Sequence, residues 1–287
     1  MAKNELADDY PLINSRDNQY VKLARSLKSK KGRTESGCFL LEGWRLAEEA
    51  LNTGWPLSYA LISGDAPYNQ RQQDVLWQLR RQQTTLYMLP PGLFAQTADT
   101  VHSQGLLLIA RLPPAIPQLP PQADFLLLAD GLADPGNLGM VIRTAWAAGA
   151  DGLLLTAGCA DPYNPKAARA SMGALLRLPL WYFADEAALL TLLTQRGLNL
   201  VAAAAEGENR YDTFSLEQPL VWLMGAEATG LSPFWRQAAT HSVYLPMAPG
   251  AESINVAAAA AVLLYATAAR RGFPKAKAIT TCAFANT

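Results

Sequence analysis

The 287-residue sequence predicts an α/β protein in two parts: a C-terminal domain on a mainly parallel sheet and a smaller N-terminal α/β domain. Three observations carry this. From residue 125 onward, apolar runs of strand length alternate with helical stretches, the pattern of a parallel sheet covered on both faces. Residues 113–121 hold five prolines, which excludes a helix or central strand and makes a stiff, extended connector. Half of the residues are apolar and 17% are charged, enough for a core, and the length suggests about two domains. The expected division is 1–112, a linker at 113–122, a second domain at 123–272, and a loose tail at 273–287 that lacks apolar periodicity.

In chain order, residues 19–29 have helical spacing, with Tyr20, Leu23 and Leu27 on one face and basic residues on the other. A strand at 39–41, a helix at 43–51, a strand at 57–62, a helix at 70–82 and a strand at 106–110 follow. Beyond the linker, strands are expected at 125–129, 152–156, 200–204, 220–224 and 242–245. Helices are expected at 138–148, 165–176, 187–196, 233–239 and 254–270. In such folds ligands bind beyond the carboxyl ends of the strands, so chemistry is sought in the loops that follow them.

Composition narrows the function classes. Three cysteines in 287 residues exclude a disulfide scaffold, and Cys38, Cys159 and Cys282 read as packing residues. The only histidines are His102 and His241, and no metal-ligand spacing exists, so no metal is expected. The first eleven residues carry Lys3, Glu5, Asp8 and Asp9 with no apolar segment after them, so no secretory signal is expected. The apolar run 254–269, interrupted by Asn255, falls short of the roughly 20 residues a membrane span needs and reads as a buried helix. A soluble, cytoplasmic protein is expected.

The 24 basic and 24 acidic residues cancel, but not uniformly. Residues 1–112 carry +2, residues 123–272 carry −4, and Lys275 and Lys277 add +2. Arg16, Lys22, Arg25, Lys28, Lys30, Lys31 and Arg33 face only Asp17, a local +6 over 18 residues. Such a cluster is either a polyanion-binding surface or a solvated helix face.

Three loops after strands carry unusual polar residues. The first, from Asp130 to Gly139, leads to Arg143. Asn137 is a candidate helix cap, and Gly136 and Gly139 allow close backbone approach. A helix N-terminus with an arginine suits a phosphate, and a plainly capped helix with one exposed arginine fits too. The second, Gly225-Ala226-Glu227-Ala228-Thr229-Gly230-Leu231, sets a carboxylate between glycines; Glu227 accepts from a ligand, orients Arg143, or is simply solvated. The third brings Glu252, Ser253 and Asn255 to a helix start, with Ser253 as candidate cap and Asn255 expected inside the helix, buried and bonded. There is no G-x-G-x-x-G after a strand, no P-loop and no G-x-S-x-G elbow, and two histidines leave few options for a Ser-His-Asp hydrolase.

At these loops the sequence resembles the SpoU (TrmH-like) class of the SPOUT superfamily of RNA ribose 2′-O-methyltransferases. The motif N-x-G-x-x-x-R-T matches Asn137 to Thr144. G-x-E-x-x-G-L matches Gly225 to Leu231, with Ala228 where glycine is usual. P-M-x(4)-E-S-[LI]-N-V matches Pro246-Met247 and Glu252 to Val256. Ala170-Ser171-Met172-Gly173-Ala174, running on to Leu178-Pro179, also looks like a family segment. The resemblance covers about 123–272, and the N-terminal part resembles the L30e-like substrate-binding domain that precedes many such enzymes.

The resemblance implies a SPOUT α/β domain with a deep trefoil knot, which composition and periodicity would not suggest. It implies S-adenosylmethionine as cofactor, contacted by Gly225, Leu245 and Ile254 with Met224, Ala226 and Met247 close by. Arg143, Asn137, Glu227, Ser253 and Asn255 are the implied catalytic group. Arg143 is read as phosphate clamp and alkoxide stabiliser, because a charged guanidinium has no acceptor with which to act as base. The implied partners are RNA, ribosomal RNA ahead of tRNA, held by the basic cluster, and a second copy of the chain docked through the C-terminal domain. The alternatives are a non-catalytic RNA-binding or assembly protein that keeps the knot, and an unrelated small-molecule enzyme on the same layered fold.

Overall fold

A computed structural model of the chain describes residues 10–64, 68–114, 119–251 and 253–273. Glu252, the middle of the linker, Cys282 and the tail beyond 273 lie outside the described residues.

The N-terminal half runs α1 (Gln19–Ser26), α2 (Lys30–Ser36), β1 (Cys38–Glu42), α3 (Trp44–Thr53), β2 (Leu57–Ser63), α4 (Gln70–Arg81), β3 (Thr85–Leu89), α5 (Pro91–Thr97) and β4 (Leu106–Arg111). Its four-stranded sheet has the order β1-β4-β2-β3, with only β2 and β3 parallel. The helix expected at 19–29 ends at Ser26, and a second helix, α2, lies beyond its expected bounds. Ser29 separates the two by capping α2, accepting from the Gly32 amide at 3.1 Å. A Cβ at Gly32 would lie 2.1 Å from the Ser26 carbonyl oxygen, so only glycine permits so tight a corner.

The C-terminal half runs β5 (Phe125–Asp130), α6 (Pro135–Ala148), β6 (Gly152–Leu155), α7 (Pro165–Ala170), β7 (Leu180–Tyr182), α8 (Glu186–Gln195), β8 (Asn199–Ala203), β9 (Asn209–Arg210), β10 (Leu220–Gly225), α9 (Pro233–Ala238), β11 (His241–Tyr244) and α10 (Val256–Arg271). The seven strands pair in the order β7-β6-β5-β10-β8-β11-β9, every pairing parallel. Successive strand residues point to opposite faces. Phe125, Leu127 and Ala129 pack with Leu138, Ile142 and Leu264 of α6 and α10. Leu126 and Leu128 pack with Leu189, Leu193 and Trp235 of α8 and α9. The helix expected at 165–176 ends at Ala170, because Met172 and Gly173 take positive φ (51° and 93°); a 3-10 turn (Ala174–Leu176) follows.

The two sheets meet across a charged and aromatic seam. Arg33 of α2 pairs with Asp161 at 2.6 Å, and Arg177 pairs with Glu49 of α3 at 2.6 Å. Arg169 of α7 reaches Asp99 at 2.7 Å. The Phe39 and Tyr163 rings lie edge to face, 4.9 Å apart. Among the described residues, no helix is long and apolar enough to cross a membrane.

Candidate functional site

The carboxyl ends of β8, β10 and β11, with Leu245, Met247 and Ser253 to Val256, enclose a cavity of about 430 Å³. Parallel strands direct their loops to this end, so the position follows from the topology. Met224, Gly225, Ala226, Leu245, Met247 and Ile254 all line it, as do Glu227, Ser253 and Asn255. Sequence reasoning missed Ala203, Ala204, Ala205, Val243, Ala259 and Leu263. The available signal was the alanine run 202–205 at the end of a strand, which leaves room where larger side chains would fill it.

The loop after β10 is held by its backbone. Ala226 and Gly230 exchange two hydrogen bonds, of 3.1 and 2.8 Å. This brings the chain back so closely that a Cβ on Gly225 would lie 2.1 Å from the Gly230 carbonyl carbon. Buried Asp130, at the end of β5, anchors the same loop. Its Oδ2 accepts from the Ser232 amide at 2.7 Å, and its Oδ1 accepts from the Thr156 hydroxyl at 3.1 Å. Asp130 was not singled out in the sequence, because its partners lie in two other loops.

The two helix caps differ from expectation. Asp134, not Asn137, caps α6, accepting from the Asn137 amide at 2.9 Å; Pro135 at the first helical position extends the helix backwards. Lys166 bonds the Asp134 carboxylate at 2.7 Å and holds it below the usual range. Asn255, not Ser253, caps α10, its Oδ1 accepting from the amides of Ala257 and Ala258. Asn255 is therefore exposed at the helix start, not buried within it. Its Nδ2 donates to Asn137 Oδ1 at 3.0 Å and to Glu227 Oε1 at 2.6 Å. One carboxamide thus ties the first, second and third loops together. Ser253 lines the cavity and is exposed.

Gly139 serves packing: a Cβ there would lie 2.4 Å from the Ala167 carbonyl oxygen of α7. Cys159 is likewise a packing residue, its thiol donating to the Ala129 carbonyl at 3.2 Å and pushed up in pKa by burial.

Arg143 stands apart from the first cavity. It is exposed, forms no hydrogen bond or ion pair with Glu227, and lines a second cavity of about 590 Å³ bounded by α3, α4, α6 and residues 171–177. The basic cluster is only partly a surface. Arg33 is 2% exposed, bonded to Asp161 and to the Leu27 carbonyl, so it cannot meet an external polyanion. Asp161 lies 128 residues away, which is why charge alone misplaced Arg33. Half-buried Lys28 donates to the Ala98 carbonyl at 2.6 Å. Arg16, Lys22, Arg25, Lys30 and Lys31 are exposed, Lys22 beside Asp17 and Lys31 beside Glu35. Among the described residues no cluster suits a metal ion.

The first cavity suits S-adenosylmethionine. Its walls are mostly apolar, and Glu227 is its only ionisable lining side chain among the described residues, a group whose chemistry suits a cationic cofactor. Residues 245–251, 253 and 254 lie outside any helix or strand, so their backbone groups are not committed to a ladder and suit a heterocycle.

Residues 124–265 match the SpoU rRNA Methylase family, and residues 18–108 match the MRM3-like substrate binding domain. An uncharacterized tRNA/rRNA methyltransferase of Synechocystis sp. is 34% identical over 91% of this chain and 94% of its own length. A 23S rRNA guanosine 2′-O-methyltransferase of Bacillus subtilis is 30% identical over 88% of this chain and 97% of its own. The crystal structure of the SpoU methyltransferase AviRb from Streptomyces viridochromogenes, in complex with AdoMet, superposes with a TM-score of 0.81. It is 29% identical and covers 90% of this chain and 100% of that one.

Proposed function

The chain belongs to the SpoU rRNA methylase family, and from that premise we propose how its own residues carry the reaction. It is an S-adenosylmethionine-dependent RNA methyltransferase acting on a ribose 2′-hydroxyl, with ribosomal RNA as substrate. The observation that carries the assignment of roles is the Asn255 carboxamide, which bonds Asn137 and Glu227 at the mouth of the first cavity.

When bound, the cofactor supplies a methyl group already activated on a sulfonium. Met224, Gly225, Ala226, Leu245, Met247 and Ile254 hold it. The remaining work is alignment and removal of one proton. Glu227 Oε1 is engaged by Asn255, while Oε2 has no hydrogen-bond partner among the described residues. We assign Oε2, directly or through one water, as acceptor of the hydroxyl proton. Asn137 and Ser253 position the ribose with Asn255. Arg143, without a partner among the described residues and always charged, clamps an RNA phosphate beside the reacting ribose.

Residues 1–112 serve as the RNA-binding domain, through exposed Arg16, Lys22, Arg25, Lys30 and Lys31. Two copies dock through the C-terminal domain; Val262 and Tyr265 of α10, 39% and 44% exposed, supply an apolar face for this. The loop 225–231, with Pro246-Met247 and Ser253 to Val256, forms a trefoil knot, a reading supported by the late strands β10 and β11 pairing among earlier ones. We place its action in the cytoplasm, as for a bacterial rRNA methyltransferase such as the Bacillus subtilis relative.

The test is methyl transfer from labelled S-adenosylmethionine to deproteinised 23S rRNA and to ribosomal subunits, followed by mapping of 2′-O-methyl positions. One stoichiometric ribose site supports the assignment. Base methylation, or cofactor binding without transfer to any ribosomal RNA, overturns it.

A further inference from the structure

The second cavity holds more arginine than the seam around it requires. Arg45, Arg71, Arg143 and Arg177 all line it. Glu49, 8% exposed, pairs with Arg177 and, at 2.9 Å, with Arg45. Glu48 pairs with Arg71. Four guanidinium groups thus meet two carboxylates. Arg177 is explained by the seam, its side chain 14% exposed. Arg45 and Arg71 are not, with side chains 56% and 67% exposed, and Arg143 has no partner among the described residues.

Beside this excess charge lies an apolar floor. Trp146 of α6 faces the cavity, with the Arg177 guanidinium 6.0 Å from its ring centre. Met172 stands at the lip, 45% exposed and at φ 51°, a conformation that costs a non-glycine residue of order 1–3 kcal/mol unless the surroundings enforce it. The enforcement is visible next door: Gly173 turns at φ 93°, and a Cβ there would lie 2.4 Å from the Glu49 side chain. The turn that seats this segment against α3 thereby leaves a large apolar side chain in the open beside four arginines.

Phosphate beside a flat apolar surface is the chemistry of single-stranded nucleic acid, where bases stack and planar forks grip the backbone. The cavity also lies on the path of the proposed reaction. Arg143 follows Asn137 by six residues on α6, about 9 Å along the helix axis. Asn137 touches Asn255 at the mouth of the first cavity.

We propose that the cavity between α3, α4 and α6 holds one nucleotide of a single-stranded RNA segment flanking the methylated ribose, its phosphate gripped by Arg143, Arg45 and Arg71 and its base laid on Trp146 and Met172. The word flanking rests on the methyltransferase reading above; the RNA subsite itself does not.

Arg45 and Arg71 are exposed enough to replace without opening the core. With the full chain, the affinity of a fluorescent oligouridylate is measured against salt for the parent and for the Arg45→Ala/Arg71→Ala double variant. The dissociation constant is expected to rise at least about tenfold, and the log–log salt slope to flatten by up to about 0.7, from the one phosphate the cavity neutralises on a single strand. Unchanged affinity and slope overturn the proposal. So does an RNA duplex that competes as well as the single strand. Cross-linking with 4-thiouridine RNA is expected to mark residues 140–148 or 171–177; adducts confined to residues 16–31 overturn it. Methyl transfer to 23S rRNA is scored separately. A parent that transfers no methyl yet loses oligouridylate binding in the variant sinks the catalytic reading and keeps the subsite. A variant with unchanged KM for RNA does the reverse.

Discussion

Asn255 performs two tasks with the two ends of one carboxamide: its oxygen caps α10 and its nitrogen bridges Asn137 to Glu227. The tasks separate by substitution. Asn255→Asp keeps a capping oxygen, removes the donor and places a second carboxylate beside Glu227. Melting should change little, while kcat should fall at least about tenfold, a loss of roughly 1.4 kcal/mol in the transition state. Asn255→Ala loses the cap as well and should cost a further 0.5–2 kcal/mol or so in urea titrations. Equal melting losses in both variants would show that the bridge is only structural. Asp134 gives a pH signature. Its carboxyl is held below 3.8 by Lys166 and by the amide of Asn137, so its contribution is present above that value and is lost as pH falls through the folded pKa. The first turn of α6, with Asn137 in it, should therefore loosen only in acid. A protection factor at the Asn137 amide that falls between pH 6 and 8 would contradict this.

At the scale of elements, α2 is a structural tie more than a binding helix. Arg33 is buried against Asp161, and breaking such a pair leaves a charge without its partner. Arg33→Ala should cost about 3 kcal/mol or more in denaturant titration, against no more than about 0.5 kcal/mol for exposed Lys30→Ala. Comparable costs for the two would refute the assignment. Local pattern made the long elements legible: the five expected strands of the parallel sheet and the helices α3, α4, α6, α8 and α10 stand within a few residues of their expected bounds. Five elements were not legible. α2 follows a corner that only Ser29 and Gly32 mark. The two-residue β9 and three-residue β7 are too short for any period to register, and β3 and α5 lie in a stretch where turn residues and apolar residues alternate without a clear repeat. The misassigned caps have another cause. Asn137 and Ser253 are good cap chemistry, but so are Asp134 and Asn255, the near neighbours that cap instead and that contacts from distant loops hold in place.

For the whole molecule, the site was legible to the extent that its motifs share one strand end. All six expected cofactor residues line one cavity, whereas Arg143, on the far part of α6, belongs to another. Helical phase separates them: six residues advance about 600°, so Asn137 and Arg143 point roughly 120° apart. Sequence spacing placed them in one motif; the helix sends them to different walls. Because S-adenosylmethionine would draw on three loops at once, its binding should stabilise the fold. At a hundredfold excess over Kd the gain is about 2.7 kcal/mol, or a melting shift of roughly 5–10 °C. A shift under 1 °C at saturation would argue that the cavity is not its site.

The place of β10 between β5 and β8 bears on how the chain is made. β5 ends at Asp130 and β10 begins at Leu220, so at about 5–20 residues per second a ribosome needs roughly 5–20 s to supply the neighbour that covers one edge of β5. Through that interval Leu126, Leu127 and Leu128 present an apolar ladder with open backbone groups, the profile of an aggregation-prone intermediate. Nascent chains stalled before Leu220 should accordingly be sticky and protease-sensitive, and slower translation should lengthen, not relieve, their dependence on chaperones.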